Sequence, residues 1–219
     1  MTNWAVMKKS TIVLGCLGIL VLGALALALA LGGTYNLMVS HSQAVDSQWA
    51  QVENVYQRRA DLIPNLVATV SGAANFEKST LTEVTDARAS VGQVKLDPNT
   101  APTDPAQLAA FQKAQDGLSS ALSRLLVVSE NYPDLKATAN FLDLQAQIEG
   151  SENRIAVERR NFNTAVQDYD TVIQQFPAVT VAAMFGFHPK PYFSAQPGAD
   201  TAPKVNFDFG ATPATPPKP

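Results

Sequence analysis

The 219-residue chain carries 16 Lys and Arg against 19 Asp and Glu, a net charge of −3. That balance argues against a nucleic-acid partner, which calls for a basic face. A single cysteine, Cys16, excludes an internal disulfide, and His41 and His188 stand far apart, so neither a structural zinc site nor any other metal centre is expected.

Residues 1–10 hold Lys8 and Lys9, and Thr11 to Gly33 carries no charge. The apolar run from Ile12 to Leu31 has about the length a helix needs to cross a bilayer at ~1.5 Å per residue. It reads as an uncleaved signal anchor over 11–33. Two other readings fit parts of it. Ala28-Leu29-Ala30 resembles a signal-peptidase site, but the apolar core before it exceeds the usual ~7–15 residues. Val13-Leu14-Gly15-Cys16 resembles a lipobox, but too few apolar residues precede it. No Lys or Arg follows Lys9 until Arg58. The positive-inside rule then puts the N-terminus in the cytoplasm and the rest of the chain outside. The expected arrangement is a single-pass membrane protein.

From Gly33 the pattern turns amphipathic. Met38, Val45, Trp49, Val52 and Tyr56 recur at helical spacings, which predicts a first helix. Arg59 is expected to close it. Asp61 is then the N-cap of a second helix with Pro64 in its first turn, where proline is tolerated. A kinked continuous helix is the rival reading of Asp61–Pro64. The second helix is predicted from about Leu62 to Val94, weakened at Ser71-Gly72. Asp97 to Pro105 is a loop, and Asp104 followed by Pro105 starts the third helix.

The third helix places Leu108, Phe111, Leu118, Leu122, Leu125 and Tyr132 on one stripe, and Pro133 ends it. The fourth has Phe141, Ile148, Ile155, Phe162, Tyr169 and Phe176 seven residues apart. That repeat predicts side-by-side, coiled-coil-like packing along a seam. Short connections between four helices predict an all-α chain, an antiparallel up-down four-helix bundle after the transmembrane helix.

Pro177 stops the fourth helix, and Val179 to Phe185 is expected to form a short helical turn. Phe185, Phe187, Tyr192 and Phe193 crowd a proline-broken stretch. It is expected to lie as an extended aromatic strap over the bundle. The sharper alternative makes those four residues a partner-binding strip. Val205, Phe207 and Phe209 alternate and add a last docked strip. Gly210 to Pro219 holds mainly Pro, Ala and Thr and is expected to be disordered. The expected divisions are a cytoplasmic N-terminus (1–10), the anchor (11–33), the bundle (34–193) and an extended, largely disordered tail (194–219).

No nucleophile elbow, phosphate-cradling glycine loop or HExxH motif occurs, so no catalytic residue and no cofactor is assigned. Two polar clusters stand out. One is Arg58, Arg59, Asp61, Pro64 and Asn65. The other lies on the fourth helix around Glu152, Asn153, Arg154, Glu158 and Arg159. Solvated faces with local ion pairs account for both at ~0.3–0.5 kcal/mol per pair. The alternative pairs Arg59 or Asp61 with Glu152 or Arg159 across the bundle and fixes its register.

These residues together resemble the LemA family of bacterial membrane proteins. The resemblance rests on Tyr35-Asn36, Trp49, RRADLIPNL (Arg58 to Leu66), Ala87-Arg88 and YPDLKA (Tyr132 to Ala137). It continues through SENRIAVERRNFN (Ser151 to Asn163), Phe176-Pro177 and GFHPKPYF (Gly186 to Phe193), and spans about Leu14 to Phe207. Ala73-Ala74 and Val179 depart from the family's usual glycine-tyrosine pair and asparagine. The resemblance implies one N-terminal membrane helix and an antiparallel four-helix bundle, with no established activity, substrate or cofactor.

The resulting expectation is a membrane-anchored, non-enzymatic interaction or scaffold protein of the cell envelope with a protein partner. An extracytoplasmic sensor working through a partner subunit is the second reading. A hydrolase using Glu152 or Asp61 is a distant third.

Overall fold

The computed structural model describes residues 3–73 and 76–195, with side chains at residue 15 and from 17 onward. The Val205, Phe207 and Phe209 strip, the tail beyond residue 195 and the side chains of Lys8, Lys9 and Cys16 lie outside the described residues. The described chain is all helical: α1 (Asn3–Ser71), α2 (Lys78–Gln93), α3 (Pro105–Ser129), α4 (Pro133–Lys136), α5 (Ala139–Gln174) and α6 (Ala178–Phe185). Residues 187–195 are extended.

α1 is one helix that is long and apolar enough, in its N-terminal part, to cross a membrane. Its leucines from Leu17 to Leu29 are exposed. From Met38 on, the same helix buries one stripe: Val45, Trp49, Val52, Tyr56, Arg59, Ile63, Leu66 and Val70. The spacing from Val45 alternates four and three residues without losing phase, as one side of a continuous helix requires.

The corner expected at Asp61–Pro64 is therefore absent. Pro64 lies inside α1, so the rival reading of an unbroken helix is the correct one. Asp61 is no cap: it is exposed in mid-helix and accepts a hydrogen bond from Gln57 Nε2 at 2.8 Å. An interior proline removes the N–H that would bond the carbonyl four residues earlier. Here that carbonyl belongs to Ala60, and Arg88 Nε of α2 donates to it at 3.4 Å. A donor from the neighbouring helix thus partly replaces the missing bond. The predicted second helix is likewise redrawn. Leu62 to Ser71 belongs to α1, the chain turns at Gly72 and Ala73, and α2 begins only at Lys78.

α1 packs along α5, and α2 along α3. Gln48 meets Glu158 while Arg59 meets Glu152, so α1 and α5 run antiparallel. Arg124 of α3 pairs with Glu83 of α2 at 3.5 Å. Phe111 and Gln115 share a cleft with Val91 and Lys95, so α2 and α3 are antiparallel too. α3 starts at Pro105, with Asp104 accepting from Ala106 N at 2.8 Å. Its stripe stops short of Tyr132, which follows the helix and packs on Phe76 at 4.7 Å between ring centroids.

In α5 the seven-residue series buries Phe141, Ile148, Ile155, Phe162 and Tyr169. Phe176 does not continue it. The helix ends at Gln174, and Phe176 lies beyond it, 85% exposed. α6 follows, and Gly186 closes it with φ 76°, a left-handed conformation that glycine adopts without a side-chain penalty.

Two apolar clusters result. One gathers Met38, Val45, Trp49, Phe111, Phe162, Tyr169, Val181 and Phe193. The other gathers Ile63, Leu66, Val70, Leu118, Leu122, Leu125, Phe141 and Ile148.

Candidate functional site

Between the two clusters lies a polar layer centred on Arg59. Its side chain is 1% exposed, and a buried guanidinium needs partners for its charge and its donors. Nη1 donates to Ser119 Oγ at 2.6 Å and to Glu152 Oε1 at 2.5 Å. Nη2 donates to the Gln115 side-chain oxygen and lies 3.4 Å from its carbonyl. Ser119 Oγ is also 3.2 Å from Glu152 Oε1. The guanidinium carbon stands 5.3 Å from the centre of the Tyr56 ring, within cation–π range. α1, α3 and α5 thus each contribute a side chain to one charge. Burial pushes the Tyr56 hydroxyl up to about 12, which keeps it neutral beside that charge.

Of the residues singled out from sequence, Arg59 and Glu152 meet in this layer. Arg159 lies nearby, 3.7 Å from Asp116 and donating to Ser194 O at 2.9 Å. Arg58, Asp61, Pro64, Asn65, Asn153 and Arg154 are exposed and are not drawn into it. The partners Gln115, Ser119 and Asp116 of α3 were not anticipated. Gln112, Gln115 and Ser119 sit in phase with Leu108, Leu118 and Leu122 on α3. Polar residues in phase with an apolar stripe are the signal that would have found them.

The extended segment 187–195 is held by paired side-chain-to-backbone bonds. Asn163 accepts from Phe193 N at 2.9 Å and donates to Phe193 O at 3.0 Å. Gln112 does the same for Ser194, at 3.1 and 3.0 Å. Asp170 accepts from Lys190 N and from Tyr192 Oη, each at 3.1 Å. Lys190 Nζ reaches Asp46 Oδ1 at 3.0 Å and Ser42 Oγ at 3.2 Å. Asn163, Gln112 and Asp170 bond the segment's backbone much as a neighbouring strand would, while Asp46 holds the Lys190 side chain.

Of the four strap aromatics, Phe193 is buried against Trp49 and Phe162, with centroids 6.2 and 5.4 Å away. Arg159 covers it from outside at 4.8 Å. Phe187 is half-buried, whereas Phe185 and Tyr192 are exposed. A groove of about 590 Å³ runs beside this segment, lined by Glu152, Arg159, Arg160, Tyr192 and Phe193 among others.

One carboxylate is perturbed: burial raises Glu53 above the usual range. It lines a cleft of about 370 Å³ with Tyr56, Gln57, Lys95 and Gln115, and no second carboxylate lines that cleft. Among the described residues no group of three or more His, Cys, Asp or Glu could hold a metal ion.

A sequence profile described as the LemA family matches residues 48–207. Magnetosome protein MamQ of Magnetospirillum gryphiswaldense is 28% identical over 200 residues, covering 84% of this chain and 74% of its own. Magnetosome protein MamQ 2 of Paramagnetospirillum magneticum is 27% identical over 196 residues, covering 83% and 72%. Protein LemA of Metamycoplasma hominis is 25% identical over 164 residues, covering 74% and 70%.

Proposed function

The chain belongs to the LemA family, and on that premise we propose that it is a membrane-anchored, non-enzymatic scaffold or interaction protein of the cell envelope. The observation that carries this reading is α1. The exposed apolar run from Leu17 to Leu29 and the buried stripe from Met38 to Val70 lie on one unbroken helix. An anchor rigidly continuous with a domain holds that domain at a set height and orientation above the bilayer. Residues 1–10 are then cytoplasmic, 11–33 span the inner membrane once, and 34–193 form an antiparallel four-helix bundle outside. The aromatic strap staples three of its helices together. Arg59 and Glu152 fix the register of the bundle. The exposed Tyr192 and the groove beside it, with Arg159 and Arg160 on its wall, offer a protein partner both aromatic and cationic contacts.

Crosslinking of intact membranes followed by mass spectrometry tests this. The expected result is a small, reproducible set of proteins joined to defined positions on the groove, lost when Tyr192 and Arg160 are both changed to Ala. A pull-down from membranes that returns no protein above background overturns it. The continuity of α1 also favours a second reading, a sensor that relays through a partner subunit. In that case the crosslinks fall in or next to the span rather than on the groove.

A further inference from the structure

Around α6 the described surface carries large apolar side chains that neither core buries. Phe176 is 85% exposed, Met184 76%, Phe185 60% and Val179 44%. All four lie in or beside α6, which packs on both α1 and α5. Contacts fix the position of the C-terminal end of α6, with Met184 and Phe185, along the molecule. The Phe185 and Phe187 rings meet Tyr35 at 5.0 and 5.7 Å. A cleft of about 350 Å³ brings Val181, Met184 and Phe185 together with Leu31, Gly32 and Tyr35 of α1. Leu31 ends the long apolar run, and Tyr35 follows it by four residues, ~6 Å along the helix axis. The patch therefore flanks the point where α1 leaves its apolar run.

Charge reinforces the placement. No Asp, Glu, Lys or Arg occurs between Lys9 and Asp46, nor between Asp170 and Lys190. The structure sets these two uncharged stretches side by side, and the nearest flanking charges, Asp46, Asp170 and Lys190, are bonded to the segment or to one another. Tyr35, Phe185 and Phe187 clustered at that level, beside exposed apolar side chains and with no charge to desolvate, are what the edge of a bilayer accommodates.

We infer that α6 and its flanking Phe176 lie in the lipid surface around the exit of α1. The end of the domain then rests on the membrane at a second point. The occupant is the same bilayer the anchor crosses, because the patch continues the apolar surface of the span without an intervening charge. This inference rests on the anchor reading, and the experiment separates the two.

Full-length protein with Cys16→Ala is reconstituted into phosphatidylcholine–phosphatidylglycerol vesicles. An environment-sensitive fluorophore is attached at Met184→Cys, Phe176→Cys, Leu25→Cys or Val127→Cys, one per sample. Quenching is read with aqueous iodide and with lipids carrying a nitroxide near the carbonyl or near the chain end. The labels at 184 and 176 are expected to lose most of their fluorescence to the shallow nitroxide and little to iodide. The label at 25 is expected to be quenched by the deep nitroxide, and the one at 127 only by iodide. If 25 is quenched by lipid while 184 and 176 behave like 127, the surface contact is overturned and the anchor stands. If 184 and 176 are shielded from iodide and from both lipids, a protein covers the patch, and the inference also fails. If lipid does not quench 25, the anchor reading falls and takes the inference with it.

Discussion

The two apolar clusters on either side of Arg59 are built differently. The distal one is mainly aliphatic: Ile63, Leu66, Val70, Leu118, Leu122, Leu125 and Ile148 interlock along helices, with Phe141 and Phe76 among them. The cluster nearer the apolar span is aromatic. Trp49 touches Phe111, Phe162 and Phe193 at 5.5, 5.6 and 6.2 Å, and Tyr56 meets Phe111 edge-on at 5.1 Å. The distal half is closed mainly by helices, with the connecting residues Phe76 and Tyr132 packed together at its end. The aromatic half is closed by a non-helical segment, tied down through Asn163, Gln112, Asp170 and Asp46. Helical periodicity is enough to complete a core of leucines. Large rings leave gaps and polar edges, and a segment with its own backbone donors and acceptors fills them.

Removing the ring at the centre of the aromatic half puts the greatest strain on this contrast. Trp49 is fully buried and donates Nε1 to Asp97 O at 2.9 Å. Trp49→Ala removes packing against three rings and leaves that carbonyl without its donor. A cost of about 4 kcal/mol is expected, read as a shift in urea midpoint. Hydrogen exchange should accelerate at 94–104 and 187–195 before it does in α2. Leu125→Ala, fully buried in the distal cluster, is expected to cost about 3 kcal/mol without touching those segments. If both variants loosen the same residues, the two halves are one cooperative core.

The layer between them decides how independent they are. Glu152→Ala leaves the Arg59 charge with neutral partners only. Glu152 is 38% exposed, so water screens part of the pair, and the expected loss is about 2–3 kcal/mol rather than the full cost of orphaning a buried charge. Arg59→Met with Glu152→Leu should recover most of it, since apolar replacements of a buried pair are often neutral. A register role predicts something further: the double variant keeps its stability but loses the single set of sharp NMR resonances across α1 and α5. A double variant with unchanged spectra would leave the layer as packing alone.

These differences explain what could be read from the residues in advance. The α5 repeat from Phe141 to Tyr169 and the α1 stripe from Met38 to Tyr56 are periodic, and periodicity survives folding as a buried face. Asp104-Pro105 marks a helix start with residues that have few other uses. Pro64 misled because its local preference for a helix start was outweighed by the burial of Ile63, Leu66 and Val70 on one continuous face, with Arg88 partly replacing the lost hydrogen bond. The stripe Tyr56, Arg59, Ile63, Leu66 and Val70 stays in phase through it, and phase is the better evidence when the two conflict. Phe176 misled in the opposite way, since spacing continued past the end of the helix. Of the polar layer, Arg59 and Glu152 were visible as charges in dense motifs. Gln115 and Ser119 carry only the weaker signal of sharing the phase of the α3 stripe, as does Gln112 beside the segment 187–195. Asn163, out of the α5 seam, has no such signal, because there a neutral polar residue looks like one on a wet face.

Asn163 and Gln112 separate the segment from the core it closes. Asn163→Ala deletes two hydrogen bonds to Phe193 and leaves its N–H and carbonyl part-buried. At about 1 kcal/mol or less for each, the expected loss is about 1–2 kcal/mol. Limited proteolysis should show new cleavage between His188 and Ala195, with α1 and α5 intact. If cleavage appears equally in α2 and α3, the segment is not a separate element.

Alkaline pH makes the smallest change and needs no mutation. Tyr56 is held neutral by burial up to about 12. Tyr169 and Tyr192 are also raised, chiefly by burial and then by Asp170. An unfolded tyrosine ionises near ~10. Between those values the folded chain binds more protons than the unfolded chain. Stability from Tyr56 is therefore complete below about pH 10 and declines as pH rises towards 12. The loss due to Tyr56 should be about 1 kcal/mol by roughly pH 11, measured by urea unfolding across the range. Tyr56→Phe should flatten that slope without changing the slope below pH 10. All three raised tyrosines lie in the aromatic half or on the segment that closes it. Alkaline exposure should thus free residues 187–195 first, while the aliphatic half, which holds none of the raised tyrosines, keeps its exchange protection.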